Sequence, residues 1–387
     1  MENKAINDLL IKIRRDLHKI PEPSLKEYKT SSYIVNLLSE NNIKFHKILD
    51  TGIIAYIEGE KKEPLIAFRA DIDGLPIKEE TGLSFSSQNE GFMHACGHDF
   101  HMSIVLALAL YFKKNPPPSS LLFIFQPGEE GSGGAKLMLE SNIWNYYGKP
   151  DYIFGFHVWP SLEKGKIAFC EGEAWAGSVE FIVNFFGKGG HGAYPHESSD
   201  LLYLFADWYT NIQTFISRKI DSQQSTLLTC GMIKGAVKSN IIPDNLQIGG
   251  TLRYFDDYIK NILLNFSKEY GENLAKLYNA KFEQTILSDY IPLINNKELA
   301  KKIYDISKSK KYINCDQMSL ILSNKKVMVA DDIAYFIRDI GKGIYFFLGV
   351  KKDEKSINQS LHTKDFNPDE DALTYGFNFF KFLVENL

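Results

Sequence analysis

Cysteine is scarce in this sequence. The four residues of this type among 387, at positions 96, 170, 230 and 315, lie far apart and match no disulfide-framework spacing. A reduced, cytoplasmic protein is therefore expected. Blocks of Lys and Arg are also missing, and a formal net charge of −4 leaves no electrostatic footprint for nucleic acid. No apolar run reaches the length of a membrane span. Met1-Glu2-Asn3-Lys4 leads into an amphipathic pattern instead of an apolar signal core, so neither a membrane anchor nor a signal peptide is expected. There is no internal repeat, and the Pro-rich stretch from Asn115 to Ser120 is too short to separate domains. What is present is a globular balance, 44% hydrophobic and 24% charged, in a chain too long for one ordinary core. Two domains are expected.

The periodicity of the chain changes twice. Ile6, Leu9, Leu10, Ile13, Leu17 and Ile20 recur at helical spacing, and Pro21 and Pro23 end that helix. Strand-length apolar runs follow at 52–57, 65–70, 121–125 and 152–156, with a helical segment at 102–112 and a further apolar run at 344–348. Continuous apolar strands alternating with helices predict an α/β domain with a mostly parallel central sheet flanked by helices. Between 176 and 287 the pattern reads strand, helix, strand, strand, helix, strand, with half-exposed alternation in Ser178 to Phe186. That order predicts an inserted α+β (βαββαβ) domain at 176–287, with 1–175 and 288–387 forming the catalytic domain around it.

The densest chemistry lies in Met93-His94-Ala95-Cys96-Gly97-His98-Asp99-Phe100-His101-Met102. Taken singly, Cys96 and His98 read as a buried thiol and a hydrogen-bonded imidazole. Together, with Gly97 relaxing the turn between them, they suit a metal such as zinc, while a Cys–His nucleophilic dyad remains a second functional reading. His94 and His101 read as supporting or surface residues, and Asp99 as a group that could orient a ligand imidazole. Other polar groups directly follow apolar strands: Asp71 and Asp73, the Glu129-Glu130 pair, and His157. Open α/β sheets bind ligands beyond the carboxyl ends of their strands, so these residues are expected on one rim. Adjacent carboxylates diverge; one can bind metal while the other takes a proton, although a solvated acidic loop has the same sequence. In the inserted domain, His191 sits in a Gly-rich turn, and Asn240 and Arg253 are candidates for a substrate carboxylate, Arg offering a planar bidentate fork. His362 carries little signal alone.

Six segments together resemble the M20 metallopeptidase/amidohydrolase family, in its aminoacylase-like branch. They are Arg14-Arg15-Asp16-Leu17-His18, Arg69-Ala70-Asp71-Ile72-Asp73-Gly74-Leu75-Pro76, His94 to Asp99, the Glu129-Glu130 loop, Gly187 to His196, and Gly250-Thr251-Leu252-Arg253. The resemblance implies a catalytic domain with an inserted lid and dimerisation domain. It also implies a site of two divalent metal ions (zinc, manganese, cobalt or nickel) held by Cys96, His98, Glu130, His157 and His362, with Cys96 as bridge. Glu129 is the implied general base, Asp71 a residue steering a ligand, and His191 the group steadying the oxyanion across a homodimer. Asn240 and Arg253 are implied to hold the substrate carboxylate. The implied activity is hydrolysis of a small N-acyl amino acid, with N-acetyl-diaminopimelate of lysine biosynthesis the expected substrate; a broader N-acyl amino acid or a dipeptide is the alternative. A non-catalytic binding protein on the same fold is the competing reading of another class. The sequence departs from the family pattern at Gly128 and at Val327 to Asp332, an acidic stretch expected to shape the substrate pocket.

Overall fold

The continuous apolar runs pair into one eight-stranded sheet. Across it the order is Lys44–Ile48, Gly52–Ile57, Ser119–Gln126, Lys61–Asp71, Tyr152–Glu163, Gly343–Lys351, Lys166–Cys170 and Ser319–Ser323. The computed structural model describes residues 2–309, 319–323, 325–351 and 360–387, so Cys315 lies outside the described residues. Four of the sheet's neighbour pairs are parallel among the described residues, including the three that join Ser119–Gln126 through Lys61–Asp71 and Tyr152–Glu163 to Gly343–Lys351. Parallel strands are covered on both faces, and Ser119–Gln126 is accordingly buried at every position.

The covering layers follow from strand alternation. Phe154 and Phe156 join the core formed with the helices Glu2–His18, His98–Lys114 and Asp371–Asn386. The intervening Gly155 points the other way, where a Cβ would meet Ile333 at the start of the helix Ile333–Ile340. His98–Lys114 is buried on nearly every side, as expected of a helix lacking a polar face.

The chain divides into two compact units. The larger holds Met1–Ala174, Leu293–Lys325 and Asp332–Leu387; the smaller holds Trp175–Pro292 and Lys326–Asp331. The smaller unit is an antiparallel sheet in the order Leu227–Lys234, Asn245–Tyr254, Gly177–Phe186, Lys281–Tyr290. The last strand runs on to Tyr290, which carries this unit past Leu287. Val179, Phe181, Val183 and Phe185 alternate into a core shared with Trp208 and Leu263, from the helices Leu201–Lys219 and Asp257–Leu277. The intervening residues stand on the face opposite these helices.

Candidate metal centre

The turn at 93–97 is fixed by its backbone. Leu75 and Met93 exchange two N–H···O bonds of 2.9 and 3.0 Å, and Gly97 N–H donates to His94 O at 3.2 Å. Gly97 has φ +84°, and a Cβ there would lie 2.4 Å from Val158 Cγ2. Only glycine meets both demands. The helix then starts at His98, with Gly97 as its N-cap.

Four other chain segments bring groups to this turn. Asp71 and Asp73 come from the end of the strand Lys61–Asp71 and the loop beyond it; Glu129 and Glu130 follow Ser119–Gln126; His157 lies within Tyr152–Glu163. His362 is tied in by its N–H, which donates to Ala95 O at 2.9 Å. Cys96 Sγ lies 3.3 Å from His157 Nε2 and 3.2 Å from His362 Nε2. Ligand atoms of Cys96, His98 and His157 fall within 4.8 Å of one another, as do those of Cys96, Glu130 and His362, and those of His98, Glu129 and Glu130. Cys96 thus belongs to two potential ligand groups, and His98 and Glu130 connect them. His98 Nδ1 donates to Asp73 O at 2.9 Å, which leaves Nε2 with its lone pair; His157 Nδ1 does the same with Val158 O at 2.8 Å. His98 Nε2 and Glu130 Oε1 are buried without a hydrogen-bond partner. Buried polar atoms are normally satisfied, so these two mark a place built for something else.

The electrostatics ask for positive charge at this point. Burial first, then Glu130, Glu129 and Asp71, push the Cys96 thiol well above its usual range. Burial, reinforced by Asp73 and opposed by His98, raises Glu130 to about 7. Burial would depress His98, but Asp71, Asp73 and Glu130 outweigh it and raise the imidazole to about 10. His157 is driven well below its usual value by burial and then by His101. A thiolate–imidazolium dyad needs a low thiol pKa, and this environment pushes the Cys96 thiol the other way; His157, beside the sulfur, is held neutral, and only His98 is held charged. A divalent cation reverses that logic, because it stabilises the thiolate and carboxylates and prefers neutral imidazole.

The three site residues expected from the inserted domain lie in the smaller unit. His191 and Asn240 are brought together on a two-stranded ribbon, where Ile241 pairs with His191 and Gly192 N–H donates to Asn240 O at 2.9 Å. Both side chains are exposed and border a depression of about 680 Å³. Arg253 is half-buried on the neighbouring strand Asn245–Tyr254.

Several residues support the centre. Asp73 Oδ2 accepts from Ser24 Oγ at 2.6 Å and from Glu130 N–H at 2.9 Å. Asp71 is fully buried; Oδ1 accepts from His101 Nδ1 at 2.6 Å and Oδ2 from Arg69 Nη1 at 2.8 Å, 3.6 Å from His98 Nε2. His101, read from the sequence as a supporting or surface residue, is therefore a buried holder of Asp71. Asp99, expected beside a ligand imidazole, accepts instead from Arg14 Nε at 2.9 Å and contacts His18 Nδ1 at 2.8 Å, because the helix turns it toward Glu2–His18. Asp332, in the acidic stretch expected to shape the pocket, is a buried anchor. It pairs with Arg69 Nη2 at 2.9 Å and accepts from Gln126 Nε2 and Ala135 N–H.

Residues 67–386 match the model of peptidase family M20/M25/M40. An N-acetyldiaminopimelate deacetylase of Bacillus velezensis is 36% identical over 95% of this chain and 96% of its own length. One from Listeria welshimeri is 37% identical over 94% and 95%. Among solved structures, a dinuclear metal-binding M20 peptidase of Bacillus subtilis superposes with a TM-score of 0.80, at 28% identity and 98% coverage of both chains. The chain belongs to peptidase family M20/M25/M40 and is a metal-dependent hydrolase acting on amide bonds.

Proposed function

We propose that this protein removes the acetyl group from N-acetyl-diaminopimelate, giving diaminopimelate and acetate, as a step of lysine biosynthesis in the cytoplasm. The observation that carries the reading is the pair of ligand groups sharing Cys96 beside the adjacent carboxylates Glu129 and Glu130. The deacetylase relatives, which match nearly the whole chain, support the substrate. Cys96, Cys170 and Cys230 are free thiols, in keeping with a reducing compartment. Among the described residues no helix is long and apolar enough to cross a membrane.

The donor set fits two divalent cations of the zinc, manganese, cobalt or nickel class. Cys96, His98, Glu130, His157 and His362 would hold them, with Cys96 shared. Bound there, such cations supply Lewis acidity toward the amide carbonyl and bring the pKa of water toward neutrality. Glu129, 8% exposed at the rim of the cluster, takes the proton of the attacking water and returns it to the departing amine. Asp71, held ionised by His101, His98 and Arg69 against the penalty of burial, steers His98. His191 donates to the oxyanion, a contribution of roughly 3–4 kcal/mol for one well-placed donor. Asn240 and Arg253 hold the α-carboxylate. The enzyme works as a homodimer in this reading, with His191 supplied across the dimer; the edge strand Leu227–Lys234, with Ile233 exposed, offers unpaired backbone for such an assembly.

The test is a panel of N-acetyl-diaminopimelate, hippurate-type and dipeptide substrates, run with each of the four metals. Glu129→Gln is expected to retain metal and lose roughly 10²–10⁴-fold in turnover. Near-normal turnover of that variant would remove Glu129 as the base, and activity that survives a chelator would remove the metals.

A further inference from the structure

The helix-free face of the four-stranded sheet carries a depression of about 370 Å³ in the smaller unit. Gly231, Gly249 and Gly250 line its floor, and Ile182, Met232 and Leu287 its walls. At Gly231 a Cβ would meet nothing within 4 Å, so the cavity owes its depth to the missing side chain. One end is polar. Thr229, Thr251 and Glu180 are cross-strand partners in a single row, and Leu227, Arg253 and Ser178 form the next row on the same face. Arg253 and Glu180 are therefore diagonal neighbours, with Cα atoms roughly 7–8 Å apart by sheet geometry. Among the described residues neither closes an ion pair; burial lowers the Arg253 pKa and the Glu180 charge opposes that shift. Thr251 Oγ1 is buried without a hydrogen-bond partner.

Resting on the deacetylase reading, we propose that the polar end of this depression, one residue row from Arg253, receives the side-chain terminus of the N-acyl amino acid whose α-carboxylate Arg253 holds, and that Glu180 binds an ammonium group there. Glu180 is then the residue that selects a diamino acid. Five bonds of about 1.5 Å in an extended zigzag carry an ammonium roughly 6–7 Å from the α-carbon, comparable with the roughly 7–8 Å between the Arg253 and Glu180 α-carbons. The glycine floor, Ile182 and Met232 lie on the side of Glu180 away from Arg253 and leave room for the group that carries the ammonium. A carboxylate beside the far ammonium accepts from the hydroxyls of Thr229 and Thr251, which gives Thr251 Oγ1 its missing partner. A substrate ending in methyl leaves Glu180 desolvated and unpaired, and a site built for a polar group rejects such an analogue strongly.

The experiment compares kcat/KM of the metal-loaded enzyme and Glu180→Gln on N-acetyl-diaminopimelate, Nα-acetyl-lysine and N-acetyl-norleucine, the last lacking only the terminal ammonium of the second. The ratio of lysine to norleucine derivative is expected to fall about 10–100-fold in the variant, as for loss of one charge-assisted hydrogen bond. An unchanged lysine-to-norleucine ratio would overturn the subsite and leave the deacetylase reading standing. Failure of the wild type to hydrolyse any of these N-acetyl amino acids would overturn both.

Discussion

Asp73→Ala isolates the support beneath one ligand from the support beneath another. The carboxylate accepts from Ser24 Oγ at 2.6 Å and from Glu130 N–H at 2.9 Å, while the Asp73 backbone carbonyl accepts from His98 Nδ1. Truncation removes the first two bonds and the contact of Asp73 Oδ1 with His98 Nδ1 at 3.3 Å, and keeps the backbone bond to His98. His98 should hold its tautomer and aim; Glu130 should lose its tether. Two hydrogen bonds to a charged acceptor set a ceiling of about 3–6 kcal/mol. Water entering beside Glu130, which is only partly buried, lowers that ceiling. Loss of such supporting groups typically weakens metal affinity about 10–100-fold. The assay is competition of the apoprotein with a chromophoric chelator for zinc and manganese, alongside urea unfolding to verify the fold. Wild type should bind two ions, and Asp73→Ala should weaken at least one site by that factor. Equal affinities at both sites, within about threefold, in a folded variant would refute the assignment of Asp73 as the residue that positions Glu130.

Two further outcomes follow from the buried network. Asp332→Ala removes the partner of Arg69 Nη2, of Gln126 Nε2 and of Ala135 N–H. Leaving these buried should cost about 3–5 kcal/mol, read as a lower urea midpoint; a change below about 1 kcal/mol would mean the interior re-forms around Arg69. Glu79 gives the pH dependence. Burial would raise its pKa, but hydrogen bonds from His18, Thr81 and Ser87 N–H outweigh this and hold it at about 2. A carboxylate depressed in the folded state stabilises above its ordinary value near 4.5, and that stability is lost as pH falls toward 2. Glu79→Gln should therefore flatten the fall of the urea midpoint across that window; an unchanged slope would refute the linkage. His18, whose pKa is raised because Asp99 and Glu79 outweigh burial, acts with the opposite sign and loses its contribution as pH rises through its folded value.

What could be read from the sequence was whatever the local pattern encodes. Strands buried on both faces reveal themselves as unbroken apolar runs, and polar residues that close or follow those runs, Asp71, Glu129 and His157 among them, reveal the rim where ligands collect, although the strand that carries His157 runs on to Glu163. Cys96, Gly97 and His98 are adjacent in the chain, so their density survives without any fold. The smaller unit's strands and helices likewise follow from period alone.

The partners of each side chain were decided only by the tertiary structure. Asp73 and Asp71 look alike beside one strand end, yet one carries Glu130 and Ser24 while the other is locked between Arg69 and His101. Asp99 follows His98 directly but faces Arg14, because successive residues of a helix point about 100° apart. The row that sets Glu180 diagonal to Arg253 depends on strand register, which a slip of one residue would send to the opposite face. The turn at Cys96, Gly97 and His98 shows the division most clearly. Its residue types already implied a metal site. That Cys96 belongs to two ligand groups is a matter of His157 and His362 arriving from distant parts of the chain, and only the packed fold brings their nitrogens within 3.3 Å of one sulfur.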